Sequence, residues 1–156
     1  MCDHPGSTVD DYLDLIRGKI RRRGWTVQYV EHDRVPYAYT IGFTPHGMPE
    51  FSMTGISPER ALDLLGGIAD AAADVSLDVA PPKPGARLTL PGPELFEVVE
   101  VEHPDVHMNA AIGIYGGDVR GQQLVWADSR GRWPWSPRFN NGRGIQPVLG
   151  PRAGLG

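Results

Sequence analysis

Three sets of side chains in this 156-residue chain have the types and spacing for chemistry. Glu50 follows Pro49 at the head of an extended run. His46 lies in the Thr44–Pro49 loop before it, and Tyr39 sits on the run before that. A carboxylate, an imidazole and a phenol support proton transfer when they converge. Asp128, on a later turn, is the fourth candidate for that work, and Thr40 is a ligand-contacting candidate beside Tyr39. The structural alternative for Glu50 is a cap on backbone donors or a partner for an arginine such as Arg132.

The second set is metal-ligating. His103 and His107 are four residues apart, which puts both on one face of a helix, and Cys2 with His4 would complete nitrogen and sulfur ligation of zinc or iron. Asp105 or Asp128 would add an oxygen ligand. Against this, Pro104 disfavours helix at His103, and no spacing matches a recognised zinc pattern. The third set interleaves cations with rings: Arg130, Arg132, Trp133, Trp135, Arg138, Phe139 and Arg143. Arg132, Trp133 and Trp135 are ligand-binding candidates, by stacking and charge. Nucleic acid is a poor fit, because Pro134 and Pro137 restrict the backbone and the net charge is −4. No Gly-x-Ser-x-Gly elbow is present. Gly116-Gly117 and Gly142-Arg143-Gly144 match neither a phosphate loop nor a dinucleotide fingerprint.

These residues need a scaffold, and the periodicity supplies one. Thr8-Val9-Asp10-Asp11 reads as a capping box with Asp in place of Glu. The stripe Val9, Tyr12, Leu13, Ile16 and Ile20 continues a helix over about 8–23, ending at Arg21-Arg22-Arg23 and Gly24. Trp25–Glu31 and Tyr37–Phe43 read as strands. Tyr37, Tyr39 and Ile41 alternate with the small Ala38, Thr40 and Gly42, so something can approach the backbone closely there. Glu50–Gly55 returns as a third strand of an antiparallel meander. Ser57-Pro58-Glu59 opens a second helix carrying Ala61, Leu64, Leu65, Ile68, Ala72 and Val75, weakened by Gly66-Gly67.

Ala80–Gly85 is a stiff extended connector. Arg87–Leu90 and Leu95–Val101 read as short strands, Val106–Tyr115 is open between helix and strand, and Gln122–Ala127 is a further strand before the Asp128–Gly131 turn. From Trp133 to Gly156 the chain is irregular and rich in Pro and Gly, and its two tryptophans are expected to pin it to the body. The fold class expected is α+β: one domain over 1–156, an antiparallel sheet of five to seven strands and two main helices.

Charge is segregated: residues 59–105 hold ten acids and three bases, a net of −7, whereas 118–156 hold six Arg and two Asp, a net of +4. Two complementary faces of one fold account for that more simply than an anion-binding surface. No apolar run reaches the roughly 20 residues of a membrane span. Met1–Ser7 is polar and does not read as a signal peptide. One cysteine, Cys2, precludes an internal disulfide and fits a reducing cytoplasm.

Several stretches together resemble a family of short bacterial proteins classified only as domain-of-unknown-function family 4262. They are Cys2-Asp3, His4-Pro5, Arg23-Gly24-Trp25, Ala38-Tyr39-Thr40-Ile41-Gly42, Pro49-Glu50 and Thr54-Gly55. Later come His103-Pro104, Gln123-Leu124-Val125-Trp126, Asp128, Gly131-Arg132-Trp133-Pro134-Trp135 and Gln146-Pro147-Val148-Leu149-Gly150. The resemblance implies a shared fold and no transferable activity. Members often carry a Cys-x-x-Cys near the start, but Cys2 stands alone here, so no thiol-pair site is available to a monomer. The expected function is an accessory, regulatory or ligand-binding role for an unknown small molecule or protein partner. The alternative is a small, metal-assisted enzyme using Glu50 and His103/His107.

Overall fold

The apolar stripe of the first helix, α1 (Val9–Arg23), closes on a sheet through Leu13 and Ile16, and its last-turn arginines face solvent. The computed structural model describes residues 9–31, 35–74, 82–89, 95–142 and 146–152. After α1 come β1 (Thr26–Val30), β2 (Tyr37–Ile41), a single 3-10 turn (Thr44–His46) and β3 (Glu50–Thr54). Helix α2 (Pro58–Asp74) follows, then β4 (Arg87–Thr89) and β5 (Leu95–Glu100). Two short helices, α3 (Pro104–His107) and α4 (Asn109–Tyr115), precede β6 (Gly121–Trp126).

The six strands lie in the order β1-β2-β3-β6-β5-β4. Two three-stranded meanders, β1–β3 and β4–β6, therefore meet at their last strands. Every pairing is antiparallel except the central one, in which Glu50 aligns with Gly121 and Ser52 with Gln123 in parallel. The sheet is thus mixed, mostly antiparallel, and the domain is α+β. Both central strands are buried almost throughout, as parallel neighbours covered on two faces must be.

One face packs on α2, where Ala61, Leu65 and Ala69 meet Ala38, Met53, Phe96, Val98 and Leu124. The other packs on α1 and α4, where Leu13, Ile16, Ala110 and Ala111 meet Tyr39, Ile41 and Val101. The expected alternation in β2 holds, with Tyr37, Tyr39 and Ile41 on the α1/α4 side and Ala38 on the α2 side. Gly42 meets the close approach its neighbours' small size implies: at φ 140°, a Cβ there would lie 2.6 Å from the Gly24 carbonyl and 2.7 Å from Trp25 Cα. Ser57 caps α2, its hydroxyl accepting from the Arg60 N–H at 3.3 Å.

The stretch left open, 106–115, holds the end of α3 and all of α4, parted by the non-helical Met108 (φ −130°, ψ 51°). Gly113 serves packing there, since a Cβ at that position would come 2.9 Å from Leu13. Among the described residues no helix is long and apolar enough to cross a membrane.

Candidate functional site

Glu50 is fully buried at the start of β3, and the chain that leaves β2 wraps around its carboxylate. The backbone N–H groups of Gly42, Phe43 and Thr44 donate to it at 3.2, 3.1 and 2.8 Å. The hydroxyls of Thr40 and Thr44 donate at 3.0 and 2.6 Å. Successive N–H groups that converge on one anion form a nest, here filled by the protein's own side chain. Thr40 also accepts from the Phe51 N–H at 2.9 Å, so it locks β2 to β3. Burial pushes the Glu50 carboxyl above its ordinary value, and the bonds from Thr44, Gly42 and Phe43 pull back against that rise. No cation is among these partners.

The other proton-transfer candidates stand elsewhere. Tyr39 is buried on the α1/α4 face, where its phenolic oxygen accepts from the Ala110 N–H at 2.9 Å and caps α4. Burial raises its pKa well above that of a free phenol. His46 ends the 3-10 turn with its ring exposed. Asp128 lies seven residues past Gly121, the register partner of Glu50, on the order of 20 Å along the sheet at ~3.3 Å per residue. Glu50 and Asp128 occupy opposite ends of the parallel pair and share no site.

Asp128 organises the turn after β6. Its carboxylate accepts from the N–H groups of Arg130, Arg132 and Asn140 at 2.8–2.9 Å and from Arg132 Nε at 3.0 Å. Burial would raise its pKa, but these four donors outweigh that and hold it at about 2. Arg132 also donates to Asn141 at 2.9 Å. The arginine considered for Glu50 is therefore Asp128's partner.

Trp133 and Trp135 stack, 5.4 Å apart and 7° from parallel. Arg87 lies 4.7 Å over the first ring and Arg152 lies 3.7 Å over the second. Both arginines reach back to the buried Glu97 of β5, Arg87 at 3.3 Å and Arg152 by two bonds of 2.9 and 3.1 Å. The cations and rings of the tail thus build a stack against the protein's own carboxylate. Arg152 foremost, then Arg87, lowers the Glu97 pKa against the opposing effect of burial.

His103 sits just before α3 and pairs with Glu102 at 3.3 Å, and His107 closes that helix edge-on to Tyr37. Burial, then the neighbouring His103, lowers the His107 pKa. Among the described residues no three His, Cys, Asp or Glu side chains are placed to hold a metal. Cys2 and His4, the other ligand candidates, lie outside the described residues.

A cleft of about 640 Å³ opens at the carboxyl ends of β3 and β6. Ile56, Leu95 and Trp126 line it with apolar surface, while Ser57 and Arg60 of the α2 start, Asp128 and Asn140 bring polar groups. The Trp126 indole N–H donates to the Thr54 carbonyl at 2.9 Å, which fixes that wall. Of the sequence candidates among the described residues, Asp128 alone borders the cleft, and Arg132 holds its carboxylate. Ile56, Leu95 and Trp126 are ordinary apolar residues in sequence and carried no signal. Ser57-Pro58 was legible as a helix start, and Asn140-Asn141-Gly142 has the composition of a left-handed turn.

A second groove, about 730 Å³, runs beside the edge strand β1 between α1 and α2. Its Lys19, Arg22 and Arg23 stand with Asp63 and Asp70, so its charges largely cancel.

A mixed six-stranded sheet with helices on both faces defines an α+β domain. Residues 19–140 match the model of a family described as a domain of unknown function, DUF4262, and the chain belongs to that family. No curated protein and no solved structure matches it.

Proposed function

We propose that this is a small-molecule-binding accessory domain, with its ligand in the cleft between β3, β6 and the start of α2. One observation carries the reading: the cleft lies outside the carboxyl ends of the parallel pair. That is where open sheets containing parallel strands place ligands, because the loops leaving both strands diverge there. An apolar floor of Ile56, Leu95 and Trp126 beneath Ser57 and Arg60 suits a compact molecule with an apolar body and an anionic group. The amino end of α2 adds its partial positive charge on the same side. The single cysteine supports a reducing, cytoplasmic setting.

Glu50 has a different place in this reading. Its oxygens are taken up by five neighbouring donors, so it holds the fold and leaves ligand contact to the opposite end of the sheet. Fragment screening by NMR tests the assignment. Carboxylate-bearing aromatic fragments should shift the amides of Ile56, Ser57 and Ala127 and the Trp126 indole. Arg60→Ala should weaken them about tenfold, or ~1.4 kcal/mol. Hits confined to the α1/α2 groove, or to Glu50 and its donors, would refute it.

A further inference from the structure

Residues 146–152 lie across β6, β3 and β5 as a strap held by its main chain at Pro147 and Leu149 and by the side chains of Gln146 and Arg152. The Gln146 amide pairs reciprocally with the Trp126 N–H and carbonyl, both at 2.9 Å. The Pro147 carbonyl accepts from Thr54 Oγ1 at 2.7 Å and Gln123 Nε2 at 2.8 Å, while Gln123 Oε1 accepts from the Leu149 N–H at 2.7 Å. The Glu102 N–H donates to the Leu149 carbonyl at 3.0 Å. Gly150 packs so closely on the Glu100 carbonyl that a Cβ would overlap it. Arg152 then locks the far end onto Glu97.

This strap is an element the sheet receives, and a strained run stands upstream of it at residues 140–142. Asn140 (φ 50°, ψ 39°), Asn141 (φ 59°, ψ 34°) and Gly142 (φ 80°) are three successive left-handed residues. L-residues adopt that conformation singly and at a cost, even asparagine. Strained hinges next to a separable element favour its exchange between copies.

We infer that residues 146–152 exchange reciprocally between two copies of this chain, each strap filling the other's site. A foreign peptide is the weaker occupant. It would leave the displaced Leu149 and Arg152 without partners and would compete with a tethered strap at high effective concentration. A second copy conserves every one of these contacts, and opening the hinge relieves the left-handed run. Exchange is opposed by the entropy of association and by the Asn140 N–H bond to Asp128 and the Arg132 bond to Asn141 that an opened hinge gives up, so the exchanged dimer forms at high protein concentration.

The test uses the full chain as wild type, Asn140→Val and Asn140→Gly, each with and without Arg152→Ala, in sedimentation and native mass spectrometry. Valine resists the left-handed conformation and glycine accepts it. The dimer association constant should rise about tenfold in N140V and fall in N140G, tenfold being ~1.4 kcal/mol. Arg152→Ala should leave that association constant unchanged, because the Arg152–Glu97 pair is present in the closed monomer and in the exchanged dimer alike. Isotope-filtered NOEs in a mixed sample should link Leu149 of one copy to Gln123 of the other. Near-UV circular dichroism checks that N140V is folded, and the wild-type and N140G samples decide the matter if it is not. Monomer throughout at millimolar concentration, a dimer dissolved by Arg152→Ala, or a dimer without those NOEs overturns the inference.

Discussion

Glu50 and Glu97 are both buried carboxylates on strands of one sheet, and the protein keeps them in opposite ways. Glu50 is surrounded by neutral donors, all drawn from residues 40–44. Glu97 is matched by two guanidinium groups, one of them 55 residues away. Burial dominates at Glu50 and raises its pKa, whereas the arginines dominate at Glu97 and lower it. Neutral donors fix a local turn and cost little to organise, because the chain is contiguous. A charged match can join segments far apart in sequence, and that is the use Glu97 has.

The largest expected effect lies at the neutral site. Glu50→Ala leaves three N–H groups and two hydroxyls with no acceptor in a closed space, at ~1–3 kcal/mol for each group truly unpaired, moderated by relaxation. We expect a loss of about 3–5 kcal/mol in urea denaturation, and somewhat less for Glu50→Gln, which keeps one acceptor oxygen. A Glu50→Gln protein within ~0.5 kcal/mol of wild type would show that these donors have other partners and would dissolve the contrast with Glu97.

The charged site should respond less, because Arg152 is about a quarter exposed. Arg152→Ala leaves Glu97 with Arg87 alone and uncovers Trp135. We expect a loss of about 1–2 kcal/mol, below the full penalty of breaking a buried pair because water reaches the site. Hydrogen exchange adds a local readout, with the Leu149 amide losing protection while the Leu124 amide keeps it. Equal loss at both positions would mean that the strap and the sheet open as one unit.

The difference between the sites also explains what was legible in the sequence. Glu50's role as a cap on backbone donors could be anticipated, because its partners lie within ten residues. So could the Tyr37, Tyr39 and Ile41 face and the Ser57 cap, both products of local periodicity. Glu97's arginines could not, since nothing local points from residue 97 to residue 152. The parallel β3/β6 pair was hidden for the same reason: α3 and α4, inserted between β5 and β6, decide where β6 lies. Gly113 obscured its own helix, because a residue chosen for contact with Leu13 reads as a helix breaker when seen alone. The cleft was missed because its floor is made of apolar side chains whose function depends only on placement.

Acid titration should separate the two carboxylates by sign. Glu50's folded pKa lies above the ordinary 4.5, so its contribution is complete below 4.5 and declines as pH rises through the folded value. Glu97's folded pKa lies below 4.5, so its contribution is complete above 4.5 and declines as pH falls through the folded value. Asp128 behaves as Glu97 does, over the interval from 3.8 down to about 2. Melting temperatures from neutral pH to pH 2 should therefore show Glu50→Gln flattening the slope above 4.5 and Glu97→Gln flattening the acid limb. The same limb flattened by both variants would mean that the two sites titrate alike.

The smallest effect belongs to the rings that cover the charged site. Trp135 is partly exposed, and the contact of Arg152 with its face is of the kind worth ~0.5–1 kcal/mol in water-accessible positions. Trp135→Ala alone should cost about that much, and its size will not show whether the ring holds Arg152 or merely shields Glu97. A double-mutant cycle of Trp135→Ala with Arg152→Ala separates the two. A coupling of about 0.5–1 kcal/mol places the interaction between ring and guanidinium. Strict additivity would mean that Glu97 holds Arg152 unaided, so that the charge match needs no aromatic cover. Glu50 is held differently, by backbone N–H groups and two threonine hydroxyls of the contiguous residues 40–44.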